Sequence, residues 1–360
     1  MRRADRQQVE KGRGAVTNPA GRFESATLTP EDDGWGSLDE PLQNPATTLT
    51  PEFPRHAITT NRSPDVPFEQ SLNPYQGCEH GCIYCFARPA HAYLNLSPGL
   101  DFETRIFHKP GLAALLQREI SSPRYVCKLL HIGGNTDPYQ PQERTLRITR
   151  SIMEVMARFQ HPFSIITKSA LVLRDLDLLA PLAQANLVRV AISVTTLDRK
   201  LARSMEPRAA TPDRRIAAIK GLADAGVPVI VMFAPVIPGL NDHEMEAVLE
   251  RAGQAGARGA GYVALRLPLE IKDLFREWLA TDHPDRASRV MSLVRQMRGG
   301  KDYDADWGTR MKGQGPLADL MAVRFQAARK RYGLDVSFDG LDLGKFKVPG
   351  KVGDQRDLFG

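Results

Sequence analysis

Cys78-Glu79-His80-Gly81-Cys82-Ile83-Tyr84-Cys85 places three of the chain's four cysteines within eight positions, at C-x3-C-x2-C spacing. A cubane iron–sulfur cluster is ordinarily held by four cysteine thiolates. Three clustered cysteines without a nearby fourth leave one iron open to an outside ligand. Such a cluster is suited to chemistry on a bound molecule, beyond passing electrons. An aromatic residue, Tyr84, stands immediately before the third cysteine.

Other readings of the triplet differ in what they require. Structural zinc uses cysteine pairs that come in twos and close a tetrahedron. No second pair exists here, and Cys127 stands alone, so a zinc site would need His80 or His91 as its fourth ligand. Disulfide pairing fits poorly, because four cysteines in 360 residues point to a reducing compartment. The N-terminal Met1-Arg2-Arg3-Ala4-Asp5-Arg6-Gln7 lacks the apolar stretch of a signal peptide. The longest apolar run, residues 227–240, is too short for a membrane span and contains Pro235 and Pro238. A cytoplasmic protein without membrane contact is expected.

Hydrophobic residues make up 42% and charged residues 25% of the chain, the balance of a globular protein with a sizeable core. A net charge of +6 permits an anionic partner without demanding one. Basic residues Arg2, Arg3, Arg6, Lys11, Arg13 and Arg22 precede an acidic stretch with Glu31, Asp32, Asp33, Asp39 and Glu40. This pattern is that of a solvated surface and tail, with nucleic-acid contact as the alternative.

Residues 1–64 show no sustained period and read as an extended arm wrapping the core. Ordered structure is expected from Pro67-Phe68-Glu69-Gln70-Ser71-Leu72 onward, giving a core over 65–285. Strands are predicted at 125–132, 163–167, 187–195, 227–233 and 261–267, with helices at 145–159, 173–185, 211–226, 243–255 and 271–279. Regular alternation with apolar strands implies a parallel sheet covered by helices, in about six units. The fold class expected is α/β, a partial (β/α)6 TIM-like barrel. Residues 286–360 form a helical extension, 286–298 and 316–332, ending in a tail with a short strand at 334–338.

In such barrels the active site lies at the C-terminal ends of the strands. Gly133-Gly134-Asn135-Thr136-Asp137 follows one predicted strand, where glycines allow close backbone approach to a ligand. Lys168 ends the next and can reach a carboxylate, or can simply be solvated. Ser193, Thr195 and Thr196 end a third, as ribose contacts or helix caps. Glu206-Pro207-Arg208 reads as a surface ion pair or a ligand contact, and Pro235-Val236-Ile237-Pro238-Gly239 as an adenine contact or a plain loop. Tyr84 and Tyr139 are candidates to line the cavity, His80 reads as a loop residue, and Cys127 and His131 read as core.

Together these segments resemble the SplB-type radical S-adenosylmethionine (SAM) proteins, relatives of spore photoproduct lyase. The resemblance is carried by Asn73-Pro74-Tyr75-Gln76-Gly77-Cys78, Tyr84-Cys85-Phe86-Ala87-Arg88, the Gly-Gly-Asn-Thr-Asp-Pro loop, Thr167-Lys168-Ser169, Ser193-Val194-Thr195-Thr196, Glu206-Pro207-Arg208 and the Pro235 loop. It implies a [4Fe–4S] cluster on Cys78, Cys82 and Cys85, with SAM chelating the fourth iron through its amino and carboxylate groups. It further implies SAM cleavage to methionine and a 5′-deoxyadenosyl radical. Tyr84, Gly133, Gly134, Asn135, Thr136, Lys168, Ser193 and Arg208 are the cofactor-binding residues expected. A one-electron reductant such as flavodoxin or ferredoxin, and a nucleic-acid substrate, are the expected partners. The lyases carry a hydrogen-donating cysteine just after the strand that here ends at Gly133-Gly134-Asn135. This chain has none there, so lesion repair does not carry over. From a different class, a non-catalytic protein with a structural metal and a nucleic-acid partner stands as the alternative.

Overall fold

The computed structural model of the chain describes residues 12–23, 46–336 and 340–350. Its strands are β1 (Thr48–Pro51), β2 (Thr59–Thr60), β3 (Gln70–Leu72), β4 (Tyr75–Gln76), β5 (Arg105–His108), β6 (Leu130–Ile132), β7 (Phe163–Thr167), β8 (Val188–Ser193), β9 (Val229–Val236) and β10 (Gly259–Ala264). Among the described residues they form a small sheet, β1-β5-β4, and a large one in the order β10-β9-β8-β7-β6-β3-β2.

In the large sheet β3 and β6 through β10 are mutually parallel, and β2 alone joins antiparallel. Sequential order with helical crossovers is a (β/α)6 arrangement, and β3 and β10, its first and last parallel strands, do not pair. The sequence explains the layering. Val188, Val190 and Ile192 of β8 and Val229, Val231 and Phe233 of β9 alternate along their strands and are fully buried on one face, while Arg189, Ala191, Ile230 and Met232 between them are half-buried. Against these strands packs helix Pro212–Asp224, whose Ile219 and Leu222 share one core cluster with Ile152, Met156 and Phe159 of helix Ile148–Phe159. Pro212 begins its helix at a position where no amide partner is needed.

Several expectations shift. The strand predicted at 125–132 is confined to Leu130–Ile132. Tyr125 donates its hydroxyl to Gln70 Oε1 and contacts His161 Nε2 at 2.7 Å, while the Phe346 ring covers both aromatic groups. The apolar alternation there serves loop packing, and Cys127 is a half-buried loop residue 3.8 Å from His161 Nε2, not a mid-strand one. β9 runs on to Val236 because Val236 still registers with Ala264 of β10. The helix Leu112–Ile120 and the small sheet were not anticipated.

The chain before the barrel is partly built into it. β1 pairs with β5, and the amides of Ala57 and Ile58 donate to the Glu119 carboxylate. The rest of the expected arm, 1–11 and 24–45, lies outside the described residues. At the other end, helices Ile271–Asp282 and Pro284–Gln296 build a second apolar cluster that takes in Cys82, Ile83 and Tyr84. Helix Pro316–Arg331 packs along Met245–Gln254, where Arg324 pairs with Glu246. Of the strand expected at 334–338, Asp335 makes an isolated bridge to Gly259, and residues 337–339 lie outside the described residues, as does the tail from 351. Among the described residues no helix is long and apolar enough to cross a membrane.

Candidate active site at the barrel mouth

The parallel strands deliver the chain to one rim. β3 leads through β4 into the cysteine loop, β6 is followed by Gly133, β7 by Lys168, β8 by Val194 and β9 by Ile237. Cys78 and Cys82 are buried and Cys85 is half-buried, so the triplet sits within the rim, not on an outer surface.

The loop's shape is set by buried side chains. Arg88 is inaccessible to solvent, and its Nε donates to Cys82 O at 2.9 Å. Its Nη2 donates to Gly81 O and, at 2.5 Å, to Glu103, which is also fully buried. Gly81 has φ +68°, and a Cβ there would fall 2.7 Å from Glu103 Oε2, so glycine is required twice over. Beside Cys78, the Glu79 carboxylate accepts from Thr47, Gln142 and Arg208. Gln140 Oε1 takes the Glu79 amide at 3.0 Å.

A second network joins the loop to β8 and β9. The Tyr84 hydroxyl donates to Glu206, as do Thr195 and Arg215, and Arg215 also reaches Ser193 O. Glu206 is 2% exposed, which corrects the surface-ion-pair reading of Glu206-Pro207-Arg208. Thr195 and Thr196 are likewise spent within the protein, on Glu206 and on Glu244. Asn241, fully buried, ties Thr195 O to Pro235 O and receives the Ile237 amide.

Asp137 organises the rim after β6. Its carboxylate accepts from the Tyr139 amide, the Thr167 hydroxyl at 2.6 Å and the Lys168 amide at 2.7 Å. His80 Nδ1 lies 3.3 Å away. Burial opposes its charge, but His80 and these donors outweigh it and bring the group down to about 2. The Lys168 ammonium is left 5.8 Å from the Tyr84 ring centroid. Gly133, at φ +93°, packs against Pro138 and Ile166 O, whereas Gly134 has room.

The remaining expected ligand residues divide. The Thr136 hydroxyl donates to Tyr75 O, and the Asn135 amide to Asn73. Ser193 is buried at its strand end. Arg208 donates to Glu79 and to Gly12 O, fastening the cysteine loop. Tyr139 is not in the cavity: it is 1% exposed, its hydroxyl on Asp175 and its ring beside Arg174. Glu103, Arg215, Gln140, Gln142 and Asn241 escaped the sequence reading, because a buried Glu, Arg or Gln looks like a surface residue until its partner is known. Arg88 lay inside the quoted motif and was the one legible signal.

A family model described as the Radical SAM superfamily matches residues 72–252, half of the chain. The chain belongs to the radical SAM superfamily. An uncharacterized protein of Mycobacterium bovis is 39% identical over 233 residues, 64% of this chain and 68% of that one. One from Methanocaldococcus jannaschii is 28% identical over 173 residues, 48% of this chain and 62% of that one. Spore photoproduct lyase complexed with dinucleoside spore photoproduct matches in structure with a TM-score of 0.57 at 15% identity, over 79% of each chain. A variant of that lyase with bound AdoMet and the same ligand matches equally, at TM-score 0.57, 15% identity and 79% of each chain. These likenesses establish the shared fold.

Radical SAM membership implies a [4Fe–4S] cluster and SAM, and the residues fit such a group. Burial pushes the thiols of Cys78 and Cys82 up, and the Asp137 carboxylate at Cys78 and the Glu206 carboxylate at Cys82 add to this, ahead of the neighbouring cysteines. Positive charge from a metal is what lets such thiols ionise. Among the described residues, no three Cys, His, Asp or Glu side chains converge on a point for a single ion. In a cube each thiolate holds a different iron, so the ligands surround the group and do not meet. Of the histidines invoked for zinc, His80 lies beside Asp137 and His91 Nε2 meets Arg105 O at 3.0 Å, and among the described residues neither joins a group that could hold a single ion.

Proposed function

We propose that Cys78, Cys82 and Cys85 hold a [4Fe–4S] cluster and that SAM binds at the rim beside it, between the ends of β6, β7 and β8. When bound, this pair supplies one-electron chemistry: reductive cleavage of a carbon–sulfur bond in SAM and hydrogen abstraction from a substrate by the 5′-deoxyadenosyl group. The observation that carries the reading is the cysteine triplet, Cys78 and Cys82 buried and Cys85 half-buried, at the C-terminal rim of six parallel strands, in a chain of this superfamily.

The chain's own residues position and enclose. Lys168, its amide fixed by Asp137, presents an ammonium suited to the SAM carboxylate. Gly134 and the neighbouring backbone leave space for close approach, and Ser193 offers a hydroxyl at the end of β8. Thr136 and Arg208 act at one remove, Thr136 holding the β6 rim to Tyr75 and Arg208 holding the cysteine loop through its Glu79. Tyr84, locked onto Glu206, fixes the face of the loop that Lys168 overlooks.

The proposed substrate is a nucleic acid, supported by the +6 charge and by the fold shared with a lyase complexed with a dinucleoside. The reductant is a one-electron carrier of the flavodoxin or ferredoxin kind. An anaerobic assay for 5′-deoxyadenosine, run across candidate substrates that include damaged DNA, tests the reading. Product formation that rises with one nucleic acid supports it. Absence of SAM cleavage by iron-loaded protein under strong reductant removes it.

A further inference from the structure

Segment 12–15 is built into the cysteine loop from outside the barrel. Arg208 Nε donates to Gly12 O at 3.3 Å. Arg13 Nη1 donates to Glu103 O at 3.1 Å and lies 3.9 Å from Glu79 Oε1, while Nη2 donates to Thr47. The amides of Gly14 and Ala15 donate separately to the two Glu103 carboxylate oxygens, at 2.9 and 2.8 Å. Ala15 is 2% exposed and shares an apolar cluster with Cys82, Ile83 and Tyr84.

The approach is close enough to demand a particular residue. A Cβ on Gly14 would fall 1.7 Å from Gly81 O, the carbonyl immediately before Cys82. That carbonyl is also held by Arg88. Glu103 therefore stands between the segment and the loop: Oε2 takes the Gly14 amide, and Oε1 takes both the Ala15 amide and Arg88, which grips Gly81 O and Cys82 O. Without 12–15, a buried carboxylate loses two donors and its hold on Arg88 is no longer fixed in direction. A buried charge short of donors is costly, and the local structure moves to relieve it.

We propose that residues 12–15 are a clasp that must be seated for the 78–85 loop to retain an iron–sulfur cluster, with Gly14 and Arg13 as positioning residues. The iron readout of this inference rests on the cluster assignment above; its backbone readout does not.

The test compares the full chain with Gly14→Val, which forces the clasp off the loop, and Arg13→Ala, which removes contacts without adding bulk. The first measurement is amide hydrogen exchange across residues 77–88 in metal-free protein, beside the thermal midpoint from circular dichroism. The second is the rate at which a chelator strips iron from the reconstituted protein. Residues that orient metal ligands are worth about 10- to 100-fold in metal retention, so stripping in Gly14→Val should accelerate within that range. Exchange at 77–88 should rise in both variants while the barrel strands stay protected. Unchanged exchange at 77–88 in both variants overturns the clasp, as does unchanged stripping of an iron-loaded variant. A wild-type chain that holds no iron sinks the cluster assignment instead, and exchange alone then decides the clasp.

Discussion

Arg88 and Glu103 form an ion pair at 2.5 Å from which water is excluded on both sides. Its position beneath Gly81 and Cys82 makes it a support for the cysteine loop. Breaking a buried pair by deleting one partner leaves an uncompensated charge, at a cost of about 3–5 kcal/mol. Arg88→Leu is therefore expected to lower stability by that order in urea titration and to impair iron loading. Glu103→Gln, which keeps shape and some acceptors, should lose less. Equal stability of Arg88→Leu and wild type would show that the pair is dispensable.

The two glycines after β6 are expected to behave differently. Gly133→Ala places a Cβ 2.7 Å from Pro138 Cδ and 2.8 Å from Ile166 O, at φ +93°. A cost of about 1–3 kcal/mol follows for such backbone strain. At Gly134 the nearest atom, His131 Cδ2, is 3.4 Å away, so Gly134→Ala should fold normally. If Gly134 faces SAM, its variant loses SAM affinity at unchanged thermal midpoint. Parallel melting and SAM titration separate the two effects.

Acid stability should be governed in part by two histidines, the fully buried His161 and the half-buried His131. Burial, with the Arg189 charge adding at His131, pushes His131 down to about 4, and burial alone does the same to His161 against its Pro162 bond. The unfolded chain binds these protons near the ordinary 6.5. Between pH 6.5 and 4 the unfolded state thus holds more protons, and stability falls as pH falls, by up to about 1.4 kcal/mol per pH unit for each histidine. Urea midpoints at pH 7 and pH 5 measure this, and His131→Gln should flatten the difference. Identical midpoints at both pH values would contradict the burial of these rings.

Lys168→Ala should retain iron while weakening SAM binding about tenfold or more, the scale of a charge-assisted hydrogen bond. Calorimetric titration on iron-loaded protein measures it. Unchanged affinity discards the role assigned to this ammonium.

What the sequence could and could not reveal follows from the range of each interaction. The strand Phe163–Thr167 and the helix Pro212–Asp224 were legible because periodicity and capping chemistry are local. The overlong strand at 125–132 failed because Tyr125 answers to Phe346, more than 200 positions away. The cysteines, Lys168 and Gly133 were singled out from residue type and place, and the fold brings them to one rim. Glu206-Pro207-Arg208 was left between a surface ion pair and a ligand contact because Tyr84 and Arg215, the buried partners of Glu206, come from separate elements. Tyr139 was drawn to the cavity by its neighbours in sequence, while Asp175 holds it in the core.

The most direct measurement is iron content and SAM response of anaerobically reconstituted wild type beside Cys82→Ala. Wild type should carry about four irons per chain, set by the cubane stoichiometry. Its dithionite-reduced electron paramagnetic resonance signal should change on adding SAM, and 5′-deoxyadenosine should form. Cys82→Ala should lose the iron and the product together. Product formation by Cys82→Ala, or an iron-loaded wild type whose spectrum ignores SAM, would contradict the account.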